Sequence, residues 1–379
     1  MNSICFFGGF ETGYPRSDVL RKGLEKRGVA VHECRTSPRR RGVVRAAILA
    51  CRYAAMRRPF RVIYVPEFRH KDVPLAWVLS RLTGKRLVFD PLVSRYDTKI
   101  LDRRDAEDGS VQAWHNRNLD RISLGLPDLV LADTATHAEY YSREFGVPPS
   151  KIRVLPVGFD EDLFHPVRPR IARSPEDTRL NVLFFGNYLP LHGVEVVVAA
   201  AKLLVVNEAI RFDLIGRGQT YPDVEDCVKT HGLANVRLLD RVPMESLPGA
   251  IANADICLGV FGRTEKAGRV VANKVYQAMA MGRVVVTADS PAIREFFSDG
   301  KEICLVPAGD PGALAERISC LQGDPELRGK IGEQAARAVH AKLRSDILAT
   351  RFIGYCTELL KPGRRGPGGK AAPNGRSRC

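Results

Sequence analysis

The stretch LNVLFFGNYLPLHGVEVVVAAAKLL, residues 180–204, joins a short strand to a helix through a glycine loop. Leu180–Gly186 is a continuous apolar run, and Gly193–Leu204 carries apolar residues at helical spacing. Continuous apolar strands without polar alternation are typical of a parallel sheet that is covered on both faces. The run SICFFGG, residues 3–9, followed by the helical stretch Ser17–Gly28, repeats this plan near the start of the chain.

Further short apolar runs follow the same plan and alternate with helical segments. We predict a strand at each of them: Arg61–Val65, Arg86–Asp90, Leu129–Asp133, Ile152–Pro156, Arg211–Ile215, Val236–Leu239, Ile256–Gly259 and Val284–Thr287. Such alternation is typical of βαβ units. We therefore predict an α/β fold with two Rossmann-like, doubly wound domains that face each other across a cleft.

A stretch near residues 165–179, rich in proline, arginine and serine and without apolar periodicity, divides the two halves. We expect an N-terminal Rossmann-like domain over residues 1–170 and a C-terminal one over residues 178–345. A final helix is predicted over residues 346–360. The rest, residues 361–379, is rich in glycine, proline and basic residues, and we expect a disordered basic tail.

Composition excludes several classes of protein. The 379 residues are 45% hydrophobic and 27% charged, which are ordinary globular values. No run of apolar residues is long enough for a transmembrane helix, and the apolar run Ile4–Phe7 is too short for a secretory signal. The nine cysteines form no C-x-x-C pair, so we expect reduced thiols in the cytoplasm and no disulfide framework or zinc site.

Glycines close two predicted strands just before a helix, at Gly9 and Gly186. Unpaired N–H groups and the helix dipole favour an anion at such a place. Either loop is equally well explained as a tight turn, because neither half has the G-x-G-x-x-G pattern. In open α/β sheets, ligands bind beyond the carboxyl ends of the strands, so we expect a ligand cleft between the two halves.

The C-terminal half carries a more specific pattern in residues 184–204, 215–262 and 266–297, the last reading KAGRVVANKVYQAMAMGRVVVTADSPAIREFF. It closely resembles family 4 (group 1) glycosyltransferases, two-domain retaining enzymes of the GT-B fold, and the N-terminal half resembles them more loosely. The resemblance implies transfer of a sugar from a nucleotide-sugar donor to a glycan, lipid-linked or small-molecule acceptor. It also implies a last helix that packs back on the first domain, and no cofactor or bound metal.

The leaving diphosphate of such a reaction needs positive charge nearby. Many members of the family place an arginine and a lysine after the first strand of the second domain, where this sequence has Asn187 and His192. Basic residues occur instead at Lys266, Arg269 and Lys274. A solvated helix face would also explain three such residues, but their position at a predicted helix start favours phosphate binding. We therefore predict catalytic roles for Lys274 and Arg269.

The family's signature of two glutamates separated by seven residues is absent, because Arg269 and Gln277 stand at that spacing. The run from Asn273 to Ala280, NKVYQAMA, fits subgroups of the resemblance, and Gln277 can still hydrogen-bond ribose hydroxyls. The segment around Val242 matches the part of the family that lies along the nucleotide base. The predicted donor-binding residues are Gly9, Gly186, Asn187, His192, Arg217, Val242, Lys266, Asn273 and Gln277.

Two residues of the N-terminal half are further candidates. Many members of the family place a histidine near the donor sugar, and Asp90 stands at the corresponding strand end. We predict a catalytic role for Asp90, with a strand-end cap as the equally weighted alternative. His70 follows another predicted strand and is a candidate acceptor contact, although a histidine in a loop is more often incidental.

The net charge of +15 comes from two places, because residues 34–66 hold nine arginines and residues 361–379 six basic residues, with no acid in either. Within residues 39–58 we expect an amphipathic helix with Arg41, Arg45 and Arg52 near one face. Its apolar face is predicted to contain Val44, Ile48, Cys51 and Ala55. A solvated helix face remains an alternative, but we favour contact with an anionic membrane surface. Nucleic acid is a poor candidate, because aromatic residues hardly interleave the arginines.

Rival functions follow from the missing carboxylates. A catalytically degenerate glycosyltransferase-like subunit is the main alternative, and a sugar-nucleotide epimerase would normally display a carboxylate-rich cleft. We expect a cytoplasmic protein that is peripheral on the inner face of the membrane.

Overall fold

The computed structural model describes residues 1–40, 42–166 and 179–361. The N-terminal half alternates strands and helices in the order β1 (Ser3–Gly8), α1 (Pro15–Lys26), β2 (Ala30–Arg35), α2 (Gly42–Ala55), β3 (Val62–Val65), α3 (Val73–Leu82), β4 (Arg86–Phe89), α4 (Val111–Gly125), β5 (Leu129–Ala132), α5 (Ala135–Phe145) and β6 (Ile152–Val154). A π-helical turn over Asp97–Asp102 lies between β4 and α4.

The C-terminal half repeats the alternation and ends in three long helices. Its elements are β7 (Leu180–Phe185), α6 (Val194–Leu203), β8 (Ile210–Ile215), α7 (Tyr221–Thr230), β9 (Val236–Leu239), α8 (Leu247–Ala252), β10 (Ile256–Leu258), α9 (Glu265–Arg269), α10 (Asn273–Ala280), β11 (Val284–Ala288), α11 (Pro291–Arg294), β12 (Cys304–Val306), α12 (Pro311–Gly323), α13 (Pro325–Lys342) and α14 (Ser345–Leu360).

The strands form two six-stranded sheets with the orders β2-β1-β3-β4-β5-β6 and β12-β11-β10-β7-β8-β9. The pairings between neighbouring strands are parallel in both sheets, with β1 in register against β2 from Ser3 opposite Ala30 to Gly8 opposite Arg35. The α/β class with two doubly wound halves is therefore confirmed. The carboxyl ends of β1 and β7 lie inside their sheets, where strand order reverses and ligands collect.

Two strands were absent from the sequence prediction, β2 and β12. β2 is an edge strand of mixed exposure, and only Cys34 within it is buried, so it has no continuous apolar run. β12 has only three residues. Short or half-exposed edge strands lack the signal that identified the others.

Helix α14 lies against the first half of the molecule. A Cβ placed on Gly23 of α1 would meet the Ser345 carbonyl oxygen at 2.0 Å, so the two helices approach with no room for a side chain there. The Tyr355 hydroxyl donates to the Val154 carbonyl at 2.9 Å, and Phe352 packs edge-on against Tyr64. The predicted linker and tail fall mainly on residues 167–178 and 362–379, outside the described residues.

None of the helices in the described part of the chain is long and apolar enough to cross a bilayer.

Candidate active site

Lys274 is one of the buried basic residues of the C-terminal half. Helix α10 begins one residue before it, and its side chain runs towards β7, with Nζ 3.7 Å from the centroid of the Phe184 ring. The residue is only 5% exposed, and within the described residues its Nζ has no hydrogen-bond partner. Burial lowers the pKa of Lys274 well below its ordinary value. A buried ammonium without a counter-ion is costly, so this group would gain from an anion placed beside it.

The glycine loop after β7 lies directly against Lys274 Nζ. Gly186 has a φ of +142°, and a Cβ there would lie 3.0 Å from Lys274 Nζ. His192 closes the other side of the loop, with its Nδ1 against the Asn187 carbonyl. Burial, and then the charge of Lys274, lower the pKa of His192 well below its ordinary value. The neutral imidazole therefore adds no charge of its own, and Lys274 Nζ is the basic group that lies against Gly186.

The predicted nucleotide side lies on the neighbouring strands. Gln277, at 5% exposure, reaches Met244 with Nε2 3.8 Å from Sδ. Arg217 pairs with Asp240 at 2.7 Å and stacks over the Tyr221 ring. Val242 is partly exposed next to this pair, and Asn273 begins α10 on the Lys274 side. The structure thus gathers the predicted donor residues of the C-terminal half along the carboxyl edge of the second sheet.

Lys266 and Arg269 form contacts that bridge the two halves. Arg269 Nη2 donates to Asp97 Oδ1 at 2.7 Å, and Lys266 Nζ donates to Thr98 Oγ1 at 2.8 Å, with Asp102 Oδ2 3.7 Å away. All three N-terminal partners belong to the π-helical turn Asp97–Asp102. A donor phosphate at Lys266 or Arg269 would therefore have to compete with a carboxylate. A phosphate at Lys274 would not.

More bonds across the halves, which sequence analysis missed, surround the start of α5. The Thr134 hydroxyl accepts from the His137 amide at 2.9 Å, as a helix cap does, and donates to the Arg269 carbonyl at 2.6 Å. The Glu295 carboxylate accepts from the Ala135 amide at 2.6 Å. The sequence contains a local signal for the cap, since Asp133-Thr134 directly precedes a helix, but no local signal for Glu295.

Asp90 lies inside the first half and has no exposed surface. Arg16 Nε donates to it at 2.7 Å, and the Tyr64 hydroxyl donates at 2.8 Å. The structure therefore places Asp90 in a buried ion pair with Arg16. These contacts are those of a structural residue, as a capping role would also be. The buried carboxylate has no exposed oxygen that could contact a sugar.

Two other N-terminal predictions require correction. His70 is fully buried against Phe89, and burial followed by the charge of Arg95 lowers its pKa to about 3, so it is a neutral core residue and not an acceptor contact on the surface. The Gly9 amide donates to Asp72 Oδ2 at 2.8 Å, so it is not free to bind a donor phosphate.

Helix α2 is oriented differently from the prediction. Leu49 and Tyr53 face the core, whereas Val43 and Val44 are 84% and 59% exposed. Arg45 is mostly buried and pairs with Asp72 at 2.9 Å, so it does not belong to an outward cationic face. The apolar face predicted from the sequence is mostly exposed, because the ion pair and Tyr53 hold the opposite side of the helix against the core. Arg41 lies outside the described residues.

Comparisons with known proteins agree over most of the chain. A family model described as glycosyl transferases group 1 matches residues 179–324, and one described as glycosyl transferase 4-like domain matches residues 9–158. The alpha-D-kanosaminyltransferase of Streptomyces kanamyceticus is 26% identical over 294 residues, covering 75% of this chain and 73% of that protein. The D-inositol 3-phosphate glycosyltransferase of Thermomonospora curvata is 28% identical over 291 residues, covering 71% of this chain and 64% of that protein.

Solved structures share the architecture. The sucrose-phosphate synthase of Thermosynechococcus elongatus superimposes with a TM-score of 0.76 at 17% identity, covering 95% of this chain and 99% of that chain. The Anabaena protein HepE, solved in complex with UDP, gives a TM-score of 0.70 at 14% identity over 94% of this chain and 100% of that chain. At these identities the likeness shows the fold.

Proposed function

Since the chain belongs to the group 1 glycosyltransferases, a family of the GT-B fold, we propose that it is a retaining enzyme that moves a sugar from a nucleotide-sugar donor to a glycan, lipid-linked or small-molecule acceptor. The observation that carries the proposal is the buried ammonium of Lys274 beside Gly186, which has no hydrogen-bond partner among the described residues. A diphosphate next to Gly186 would give this cation its counter-ion. Lys274 would in turn stabilise the diphosphate as negative charge grows on it during cleavage of the bond to the sugar.

We propose a route for the proton that does not use Asp90. Asp90, the carboxylate predicted near the donor sugar, is held by Arg16 and Tyr64. That arrangement favours a front-face substitution in which the acceptor oxygen attacks from the side of the leaving phosphate. The C1–O bond to the phosphate breaks, the new C1–O bond forms on the same face, and the departing phosphate takes the acceptor proton.

We propose a UDP-sugar as the donor and a reaction that needs no bound metal. HepE has been solved with UDP and with UDP-glucose, which makes UDP-glucose the first donor to test. Lys274 would provide the positive charge that a metal gives to the diphosphate in other enzymes. Lys266 and Arg269 are proposed as donor-side residues whose charge is shared with Asp102 and Asp97.

Peripheral attachment to an anionic membrane is the second part of the proposal. The outward side of α2 is apolar over Val43, Val44, Ala47, Cys51, Ala54 and Ala55. Exposed arginines flank it at Arg39, Arg40, Arg52, Arg57 and Arg58. An apolar face bordered by cations fits the boundary between headgroups and acyl chains better than bulk water. The eight described cysteines are all unpaired, which favours the cytoplasmic side.

The test is donor turnover by the purified full chain. UDP-glucose and other nucleotide sugars are incubated with the protein, slow hydrolysis is followed as release of free sugar, and the anomeric configuration of a transfer product is read by NMR. We expect hydrolysis of at least one donor and retention in the product. Binding of UDP without turnover of any donor would favour a degenerate partner subunit, and exchange of sugar stereochemistry within the nucleotide would favour an epimerase.

A further inference from the structure

A segment of the N-terminal half bridges two loops at the carboxyl edge of the second sheet. The first loop follows β10, where the Thr264 hydroxyl donates to Asp102 Oδ1 of the π-helical turn at 3.0 Å. The second loop follows β8, where Gln219 Nε2 donates to the Arg103 carbonyl at 2.8 Å. The segment that ends at Arg103 therefore extends from one loop to the other.

The order of the strands places this segment above the glycine loop that follows β7. In the second sheet β7 lies between β10 and β8 and is parallel to both, so the loops after the three strands share one edge. The loops after β7 and β8 also touch, since a Cβ on Gly216 would meet the Gly186 carbonyl oxygen at 1.9 Å. A segment that joins the two outer loops therefore crosses the middle one.

Arg103 brings a positive charge to this crossing without a counter-ion. Its side chain is half-buried, and Nε is the one nitrogen of the guanidinium that is enclosed, so Nη1 and Nη2 keep access to solvent. Within the part of the chain that the structure describes, the guanidinium forms no ion pair or hydrogen bond. Lys266 and Arg269 are in contrast engaged by carboxylates of the π-helical turn. The Arg103 guanidinium is thus available to an anion.

The charge of Arg103 acts on the glycine loop. Burial and then the charge of Lys274 lower the pKa of His192 well below its ordinary value, and the charge of Arg103 adds to this effect. Burial also lowers the pKa of Lys266, again with a contribution from Arg103. Because charges act on each other only over short distances in salt solution, the guanidinium lies near both groups.

The backbone around Arg103 is unusual. It directly follows the π-helical turn Asp97–Asp102, and the next residue, Arg104, has a φ of +55°, a left-handed conformation that residues other than glycine rarely adopt. Such turns and such strain are concentrated at functional sites. The bonds to Thr264 and Gln219 hold the segment in this shape, so the guanidinium is kept at the glycine loop.

A diphosphate carries more negative charge than one ammonium balances. Neither Asn187 nor His192 adds positive charge to the glycine loop, because asparagine is neutral and the imidazole is held neutral. We propose that Arg103 and Lys274 bind the donor diphosphate together, from opposite halves of the molecule. The planar guanidinium donates two parallel N–H bonds to phosphate oxygens, which an ammonium does not. This inference rests on the proposed glycosyl transfer and adds a residue of the N-terminal half to the donor site.

The experiment measures binding of UDP and inorganic pyrophosphate to the full chain by isothermal titration, and binding of uridine by saturation-transfer NMR. Wild type is compared with R103Q, R103K and R121Q. Arg121 is exposed on α4, so R121Q removes the same net charge at a distant surface. Loss of the charge-assisted bonds should weaken binding of both phosphates roughly 10- to 100-fold in R103Q and less in R103K. Uridine has no phosphate and should bind all four proteins equally, and R121Q should match wild type.

A cation moved to the glycine loop gives a readout that a merely structural role of Arg103 would not affect. His192→Lys places an ammonium next to Gly186. In the R103Q background, H192K should recover most of the lost affinity for pyrophosphate, because it returns a positive charge to the same loop. If R103Q acts only by disturbing the bond to Gln219, H192K should recover nothing. Thermal unfolding of each variant checks that it is folded.

The outcomes separate this inference from the proposed function. Equal affinity of wild type and a folded R103Q for both phosphates overturns the role of Arg103, as does an equal loss in R121Q or absence of phosphate binding to wild type. Hydrolysis of a nucleotide sugar by wild type would leave the proposed transfer standing in each of these cases. Arg103-dependent binding of pyrophosphate without hydrolysis of any nucleotide sugar would support the anion site and contradict the proposed function.

Discussion

Arg269 of the C-terminal half and Asp97 of the N-terminal half form a buried ion pair, with Nη2 and Oδ1 2.7 Å apart. Glu265 binds the same guanidinium at 2.8 Å, and the Tyr140 ring lies beneath it. The charge of Arg269 is therefore balanced largely by carboxylates of this chain. The pair links the two halves at the edge of the proposed donor site.

We predict that Arg269→Gln lowers stability more than it lowers affinity for UDP. The substitution leaves Asp97 buried without its counter-ion, which should cost roughly 3–5 kcal/mol. Thermal unfolding followed by circular dichroism measures this loss. Arg294→Gln is the matched control, since its pair with Asp289 is exposed and should contribute about 0–1 kcal/mol. A variant as stable as wild type that no longer binds UDP would instead make Arg269 a phosphate ligand.

Gly186→Ala should abolish UDP binding and also lower stability by about 1–3 kcal/mol, because alanine is strained in this backbone conformation. The new Cβ would lie 3.0 Å from Lys274 Nζ and occupy the space proposed for the diphosphate, at a φ of +142° that disfavours alanine. Isothermal titration with UDP measures the loss. Gly354→Ala in α14, where a Cβ meets no atom within 4 Å, should bind UDP as wild type does. Undiminished UDP affinity in Gly186→Ala would place the diphosphate elsewhere.

UDP binding should become weaker as pH rises through the range between the pKa of Lys274 in the free protein and its pKa in the UDP complex. Burial lowers the pKa of Lys274 in the free protein, and a bound diphosphate favours the charged form and raises it again. Binding therefore takes up a proton in the pH range between the two pKa values, and affinity falls as that proton becomes scarce. Titrations in buffers of different ionisation enthalpy count the protons.

Two variants serve as controls for this pH dependence. Lys274→Arg should bind without proton uptake, because the guanidinium stays charged. His192→Gln should retain the proton uptake above neutrality. The ordinary pKa of a histidine is already below neutrality, and the pKa of His192 is lowered further. Proton uptake that persists in Lys274→Arg would contradict the assignment.

The membrane proposal predicts binding to vesicles that contain anionic lipid, with a dependence on both arginine and valine. In a variant lacking residues 362–379, Arg57→Gln with Arg58→Gln should weaken binding by about 2 kcal/mol, at about 1 kcal/mol for each charge. Val43→Ser with Val44→Ser should weaken it further at high salt, where charge is screened. Arg337→Gln with Arg351→Gln, on α13 and α14, is the charge-matched control. An equal loss of vesicle binding in the control variant would mean that binding depends on net charge alone and not on the exposed face of α2.

The sequence predicted the strands that are continuous apolar runs, because burial on both faces of a parallel sheet requires such runs. It did not predict β2, whose AVHECR is half-exposed at an edge. It also did not show which side of α2 packs against the core: Val44, Cys51 and Ala55 of the predicted apolar face are exposed. Small apolar residues occur on both sides of that helix, and periodicity alone does not say which side Tyr53 and the Arg45–Asp72 pair hold against the core.

The proposed donor site was partly predictable for a similar reason. Lys274 could be found because its motif is local, in Asn273-Lys274 at a helix start. The partners of Arg269 could not, because Asp97 lies 172 residues away and belongs to the other half. Nor could the burial of Asp90 by Arg16, since a strand end gives no information about which side chain from a neighbouring helix reaches it.

The most direct test of the account is the affinity for UDP and the UDP-glucose hydrolysis rate of Lys274→Met, measured beside wild type and Lys202→Met, which changes a lysine in the last turn of α6. The account predicts that Lys274→Met folds normally, because methionine fills the buried site without an uncompensated charge. It also predicts that turnover falls roughly 100-fold or more through loss of the group that stabilises the leaving diphosphate. Near-normal UDP affinity and turnover in a folded Lys274→Met protein would contradict it.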